Sequence, residues 1–158
     1  MTEENIIQVK DKTIDISKVK RLTVINCPVY SEFSIYVTDF KEQISEIIDL
    51  DNEEQLRKNY KAIYSKLNDY VAKSTNKVLI SYENLDLDNQ CEVICVNEVE
   101  NMYIQTAKDS LHNRLGYSLY LIDENGDKSA FFFEKHIDAE RYFHQIDNKK
   151  IECKGREI

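Results

Sequence analysis

Ile14-Asp15-Ile16-Ser17-Lys18-Val19-Lys20-Arg21-Leu22-Thr23-Val24 is answered 80 positions later by Ile94-Cys95-Val96-Asn97-Glu98-Val99-Glu100-Asn101-Met102-Tyr103-Ile104. The apolar positions coincide; most identities do not. Each copy leads into a second apolar run, Phe33-Ser34-Ile35-Tyr36-Val37 or Tyr117-Ser118-Leu119-Tyr120-Leu121, then into a further extended run and an amphipathic helix. That order predicts two copies of one βα unit. Repetition of this kind speaks about architecture and says almost nothing about chemistry.

Outward from the first copy, alternation predicts strands over residues 5–9, 13–16, 22–25 and 33–37, with a turn at Lys10-Asp11-Lys12, and a further strand over 43–50, where Ile44, Ile47 and Ile48 also suit a helical turn. Pro28 breaks the run after Asn26 and Cys27, because proline cannot donate to a ladder and restricts the residue before it. Asp51-Asn52-Glu53-Glu54 reads as a helix start, with Asp51 as the cap and Glu54 reaching back. Leu56, Tyr60, Ile63, Leu67, Tyr70 and Val71 then recur at helical spacing along one stripe over residues 52–72. Residues 73–77 form a short polar joint.

The second copy predicts strands over residues 77–82 and 91–96 around an acidic turn at 83–89, then a strand over 102–104 and an excursion over 107–116. Residues 117–122 and 128–134 form a hairpin across Asp123-Glu124-Asn125-Gly126-Asp127, where Asn-Gly supplies the positive torsions a tight connection needs. A closing helix starts at Asp138 with Ala139, Tyr142, Phe143 and Ile146 inward, and residues 149–158 are expected as a frayed tail. The fold class is α+β: two similar antiparallel β-sheet units, 1–73 and 77–148, each closed by a C-terminal helix. Units of about 75 residues bury too little surface to stand well alone, so the two are expected to dock.

Several antiparallel strands capped by a helix, twice over, resemble the pleckstrin-homology-like architecture of bacterial and phage proteins. The resemblance covers most of the chain and rests on element order, with no diagnostic motif. It implies a fold and transfers no ligand-binding residue.

Composition bounds the class further. With 42% hydrophobic and 32% charged residues, three Gly and one Pro, the chain is that of an ordered compact domain. It has no run near the roughly 18 apolar residues that cross a bilayer, and its start lacks the basic and apolar stretches of a secretory signal. A cytoplasmic location with Cys27, Cys91, Cys95 and Cys153 reduced is therefore expected. Abundant Lys, Asn, Ile and Tyr suit an AT-rich genome such as a low-GC bacterium or its phage.

The net charge of -8 is uneven, with 11 basic and 13 acidic residues in 1–75 against 10 and 16 in 76–158. Residues 78–107 contain Glu83, Asp86, Asp88, Glu92, Glu98 and Glu100 without one Lys or Arg. A phosphate backbone would be repelled there, which argues against direct binding of nucleic acid. Glu83, Asp86, Asp88, Glu98 and Glu100 together form a candidate partner-binding patch, since an uncompensated negative surface steers a basic protein. A solvated loop face is the competing account of the same charges.

No catalytic or metal centre emerges from the rest. Cys91 and Cys95 with His112, His136, His144 and Cys153 supply ligand types, but two strand residues four apart lie about 13 Å from each other and cannot clamp one zinc. The cysteines lack a Gly-rich elbow or helix start that would activate a thiol. Asp123 to Asp127 has the wrong spacing for a calcium loop and every residue suits a turn. The expected function is thus non-enzymatic: an acidic adaptor, immunity factor or inhibitor that occupies a partner protein's surface, with no cofactor and no metal. A small-ligand site between the two units is the second expectation. Tyr30, Tyr36, Tyr103, Tyr117 and Tyr120 fall on or near strands, where exposed members would favour a protein contact. Oligomeric state stays open, because edges are not located by sequence.

Overall fold

A computed structural model describes residues 5–84, 87–108 and 115–156. The fold is α+β, with open antiparallel sheets and two helices among the described residues. The chain runs through β1 (Ile6–Val9), β2 (Lys12–Asp15), a 3-10 turn (Ile16–Lys18), β3 (Val19–Cys27), β4 (Glu32–Asp39), β5 (Ile44–Leu50) and α1 (Glu53–Ala72). It continues through β6 (Lys77–Asn84), β7 (Leu87–Cys95), a further 3-10 turn (Val96–Glu98), β8 (Asn101–Lys108), β9 (Leu115–Ile122), β10 (Lys128–Phe133) and α2 (His136–Arg156).

The strands do not divide into two equivalent sheets. β1 and β2 stand as a hairpin, five strands run in the order β5-β4-β3-β7-β6, and three run β10-β9-β8. The polar joint at 73–77 therefore separates sequence but not sheet: β7 pairs with β3 through Arg21↔Glu92, Leu22↔Cys91 and Thr23↔Gln90. The reason lies in the apolar content of both faces of β6 and β7. Leu79, Cys91 and Val93 enter the core beneath α1, while Val78, Ile80 and Ile94 enter the core beneath α2. Such near-continuous apolar runs belong to strands covered on both sides.

In the first core Leu56, Ile63, Leu67 and Val71 of α1 pack on Ile16, Leu22, Ile35, Val37 and Ile48. In the second, Ala139, Tyr142 and Ile146 of α2 pack on Leu119, Leu121, Phe131 and Phe133.

Several local features repeat across the chain. The 3-10 turns Ile16–Lys18 and Val96–Glu98 fall at the same place in the echoed sequence, 80 residues apart, whereas the one at Pro28–Tyr30 belongs to the front half. The register Leu22↔Val37 and Val24↔Ile35 recurs as Met102↔Leu121 and Ile104↔Leu119. Asp39 Oδ1 accepts from the N–H groups of Lys41 and Gln43 at 2.9 and 3.0 Å, and Asp123 Oδ1 accepts from those of Asn125 and Asp127 at 2.9 Å each. The fourth residue of each turn is left-handed, Glu42 at φ 62° and Gly126 at φ 83°.

Other expectations shift. Asn52, not Asp51, caps α1: its side chain accepts from the Gln55 N–H at 2.8 Å, while Gln55 Oε1 rather than Glu54 reaches back, to the Asp51 N–H at 3.4 Å. The acidic stretch 83–89 is mostly strand, since Asn84 pairs with Leu87, and residues 85–86 lie outside the described residues. The excursion over 107–116 shrinks, because β8 runs to Lys108 and β9 starts at Leu115. In the last hairpin only Gly126 takes a positive φ. The expected tail is helical to Arg156, held because Lys149 Nζ donates to the Ser74 and Lys77 carbonyls at 2.7 and 2.9 Å and Cys153 Sγ to Thr75 O at 3.3 Å.

Candidate functional site

Of the acidic residues singled out by sequence, the fold brings only some together. Glu98 sits exposed in the Val96–Glu98 turn, and exposed Glu100 follows it, its N–H donating to Ile122 O at 2.8 Å. Glu83 and Asp88 lie on β6 and β7 near the far end of that hairpin, and Asp86 is outside the described residues. Along β7 the seven steps from Asp88 to Cys95 span about 23 Å at a strand's rise per residue. Glu83 and Asp88 thus lie toward the opposite end of the β6–β7 hairpin from Glu98 and Glu100.

The Glu98 end acquires members that sequence did not put there. A cleft of about 140 Å³ is lined by Lys20, Glu92, Cys95, Glu98, Asp123 and Asp127 among others. Asp123 and Asp127 arrive because the β9–β10 turn folds beside the 3-10 turn. The signal for this was present in the sequence as the spacing of Asp39 and Asp123 relative to their echoed strands. A counterpart cleft of about 160 Å³ in the front half is lined by Ile14, Asp15, Lys18, Val19, Asp39 and Ser45 among others.

Glu92 belongs to a different arrangement. It is buried, and its Oε1 accepts from Arg21 Nε at 2.6 Å; Arg21 Nη1 also meets Glu42 Oε2 at 3.2 Å, and Lys20 Nζ meets the same Glu42 carboxylate. The hydrogen bond from Lys20, with the Arg21 charge, holds Glu42 below the usual carboxylate range. Burial pulls the Arg21 guanidinium down, and its bond and charge contacts with Glu92, joined by those with Glu42, lift it above its ordinary value.

The cysteines near this cleft are not set up as nucleophiles. Burial first, and then Glu98, push the Cys95 thiol up against the opposing pull of Lys77 and Lys20. Burial drives Cys91 up to about 12, beneath the Tyr60 phenol. A thiolate would be the reactive form, and these environments disfavour it. Among the described residues, no group of three or more His, Cys, Asp or Glu could hold a metal ion, and no helix is long and apolar enough to cross a membrane. His112 lies outside the described residues.

Apolar exposure is concentrated elsewhere. Val29 and Tyr30 are 90% and 82% exposed on a one-turn knob, fixed by Pro28 at its start and by left-handed Ser31, whose N–H returns to Pro28 O at 3.1 Å. Tyr36, Tyr103, Tyr117 and Tyr120 are half-buried on their strands. Tyr103 stacks on Tyr120 with centroids 4.9 Å apart, and Lys128 lies over both rings.

No family model matches the chain, and no curated protein matches it in sequence.

Proposed function

We propose that this chain is a non-enzymatic protein-interaction module, an adaptor, immunity factor or inhibitor that acts by covering part of a basic partner protein. The observation that carries the reading is the gathering of exposed Glu98 and Glu100 beside Asp123 and Asp127 at one end of the molecule. Lys20 is the basic residue on that rim, and its ammonium is engaged by Glu42. A surface of this kind raises the encounter rate with a positively charged partner.

The repeated registers, turns and clefts favour an origin as two copies of one sheet-and-helix module, in line with the likeness in element order to tandem pleckstrin-homology-like units. The second reading, a small-ligand site between the halves, fits less well. The cleft beside Glu98 is about 140 Å³, below the roughly 300 Å³ at which ligand pockets begin, and the roomier cavity of about 420 Å³ between β6 and α2, lined by Ser81, Tyr82, Phe133, Lys135, Asp138 and Arg141 among others, is where that reading would be tested.

The test is affinity capture from the native host, followed by titration of the purified partner. Association should slow as salt is added and slow again in a Glu98→Gln, Glu100→Gln, Asp127→Asn variant. Unchanged rate and affinity in that variant would overturn the acidic reading, and a copurifying small molecule would favour the second.

A further inference from the structure

We propose that the cavity between β6 and the start of α2 binds a free α-amino acid with an apolar side chain, and that Asp138 and Arg141 receive its two charged groups. This site gives the second reading above, on which it rests, a ligand class, and it shares no residue with the acidic end. Its volume of about 420 Å³ is that of a small-molecule pocket. The wall divides into a charged rim and an aromatic floor.

The rim comes from the point where β10 gives way to α2. Glu134 and Lys135 join the two elements, and a spacing of three puts Asp138 and Arg141 on one face of the helix. Arg141 Nη2 meets Asp138 Oδ1 at 3.3 Å, and the guanidinium lies over the Tyr142 ring, 5.2 Å from its centroid. The Arg141 and Asp138 side chains are 58% and 37% exposed, so their mutual bond is weak and open to exchange. A guanidinium and a carboxylate this close mirror the carboxylate and ammonium that an amino acid carries on one carbon. A simple anion would gain Lys135 and Arg141 but face Glu134 and Asp138, and a simple cation would face the reverse. A ligand bearing both charges meets a partner for each.

The floor favours an apolar side chain. Phe133 and Tyr142 are buried and stacked with centroids 5.5 Å apart, and the half-buried Tyr82 ring stands edge-on to Phe131 at 4.9 Å. A side chain seated against Tyr82, Phe133 and Tyr142 removes apolar surface from water. Tyr142 also offers a polar group from within. Its hydroxyl accepts the Ser81 N–H at 3.3 Å, on the edge of β6 away from β7, and this leaves the phenol's own proton to donate to a ligand carboxylate.

Calorimetric titration of the full chain with L-phenylalanine and L-leucine tests this. Saturable binding in the millimolar range or tighter is expected. N-acetyl-L-phenylalanine, which lacks the ammonium, and L-phenylalaninamide, which lacks the carboxylate, should each bind about tenfold more weakly. Asp138→Asn should weaken L-phenylalanine by a similar factor and leave the N-acetyl compound unchanged, whereas Arg141→Gln should weaken L-phenylalanine and leave the amide unchanged. Both changes fall on partly exposed side chains, and circular dichroism should show the fold intact. Blocked compounds that bind as tightly as L-phenylalanine would mean a ligand site that ignores paired charge, so the assignment would fall and the second reading would stand. No binding of any of the four compounds overturns the assignment, and a chain that also carries no copurifying molecule in native mass spectrometry takes the second reading with it.

Discussion

Arg21 on β3 and Glu92 on β7 are register partners 71 residues apart, and their side chains meet at 2.6 Å where the front sheet takes in a strand from the rear of the chain. Glu92 is buried, so removing its partner strands a charge. Arg21→Met should cost about 3 kcal/mol in urea unfolding, because breaking a buried pair from one side leaves the other ion uncompensated. Arg21→Met with Glu92→Met should cost less than the sum of the single changes, and additive losses would show that the two side chains act independently.

Leu79 and Ile80 are neighbours that serve different cores. Either residue changed to Ala should cost about 2–5 kcal/mol. Both variants should still unfold in one transition, with tyrosine fluorescence and far-ultraviolet dichroism coincident, since the hairpin that carries them is common to both cores. Two separated transitions in either variant would mean that the halves melt independently.

Alkaline pH should weaken the fold through Cys91. Its thiol is raised from 9.0 to about 12 by burial, so the native state keeps a proton that the unfolded chain gives up. The associated stability is intact below pH 9 and is lost as pH rises from there toward 12. Burial raises Tyr60 and Tyr82 as well, and they steepen the same limb. In Cys91→Val the decline should be shallower. Native thiol labelling at pH 8 should spare Cys91, whereas half-buried Cys27, Cys95 and Cys153 react first.

Gly116 and Gly126 should respond differently to alanine. A Cβ at Gly116 would stand 2.3 Å from the Phe132 ring and 2.8 Å from Phe133 O, and the carbonyl belongs to a paired strand that cannot withdraw. Gly116→Ala should therefore cost about 1–3 kcal/mol by overpacking. Gly126 has open space around it and only its φ of 83° to resist a side chain, so Gly126→Ala should cost about 1 kcal/mol. Thermal melts of the two variants provide the comparison.

Much of the architecture was legible because it rests on local periodicity. The stripe from Leu56 to Val71 and the alternation around Leu22, Val24, Ile35 and Val37 encode one buried face each, and the faces are where they were expected. What escaped was pairing between distant segments. Val78-Leu79-Ile80 and Val93-Ile94 have apolar residues on both faces, but sequence does not say which neighbour covers which. The same limit applied to the acidic residues: Glu98 and Asp123 meet through packing of two turns, while Asp88 and Glu98, close in sequence, are carried apart by an extended strand. Helix ends depended on finer competition, as when Asn52 rather than its neighbour Asp51 became the cap.

The β6–β7 hairpin also bears on how such a chain can change over generations. A gene cut at residues 73–77, its most linker-like stretch, would yield one product with β3 lacking a neighbour and another with Leu79, Cys91 and Val93 bared to water. Neither product could be shuffled into a new context as a working part. Whatever their ancestry, the front and rear of this protein are now inherited together or not at all.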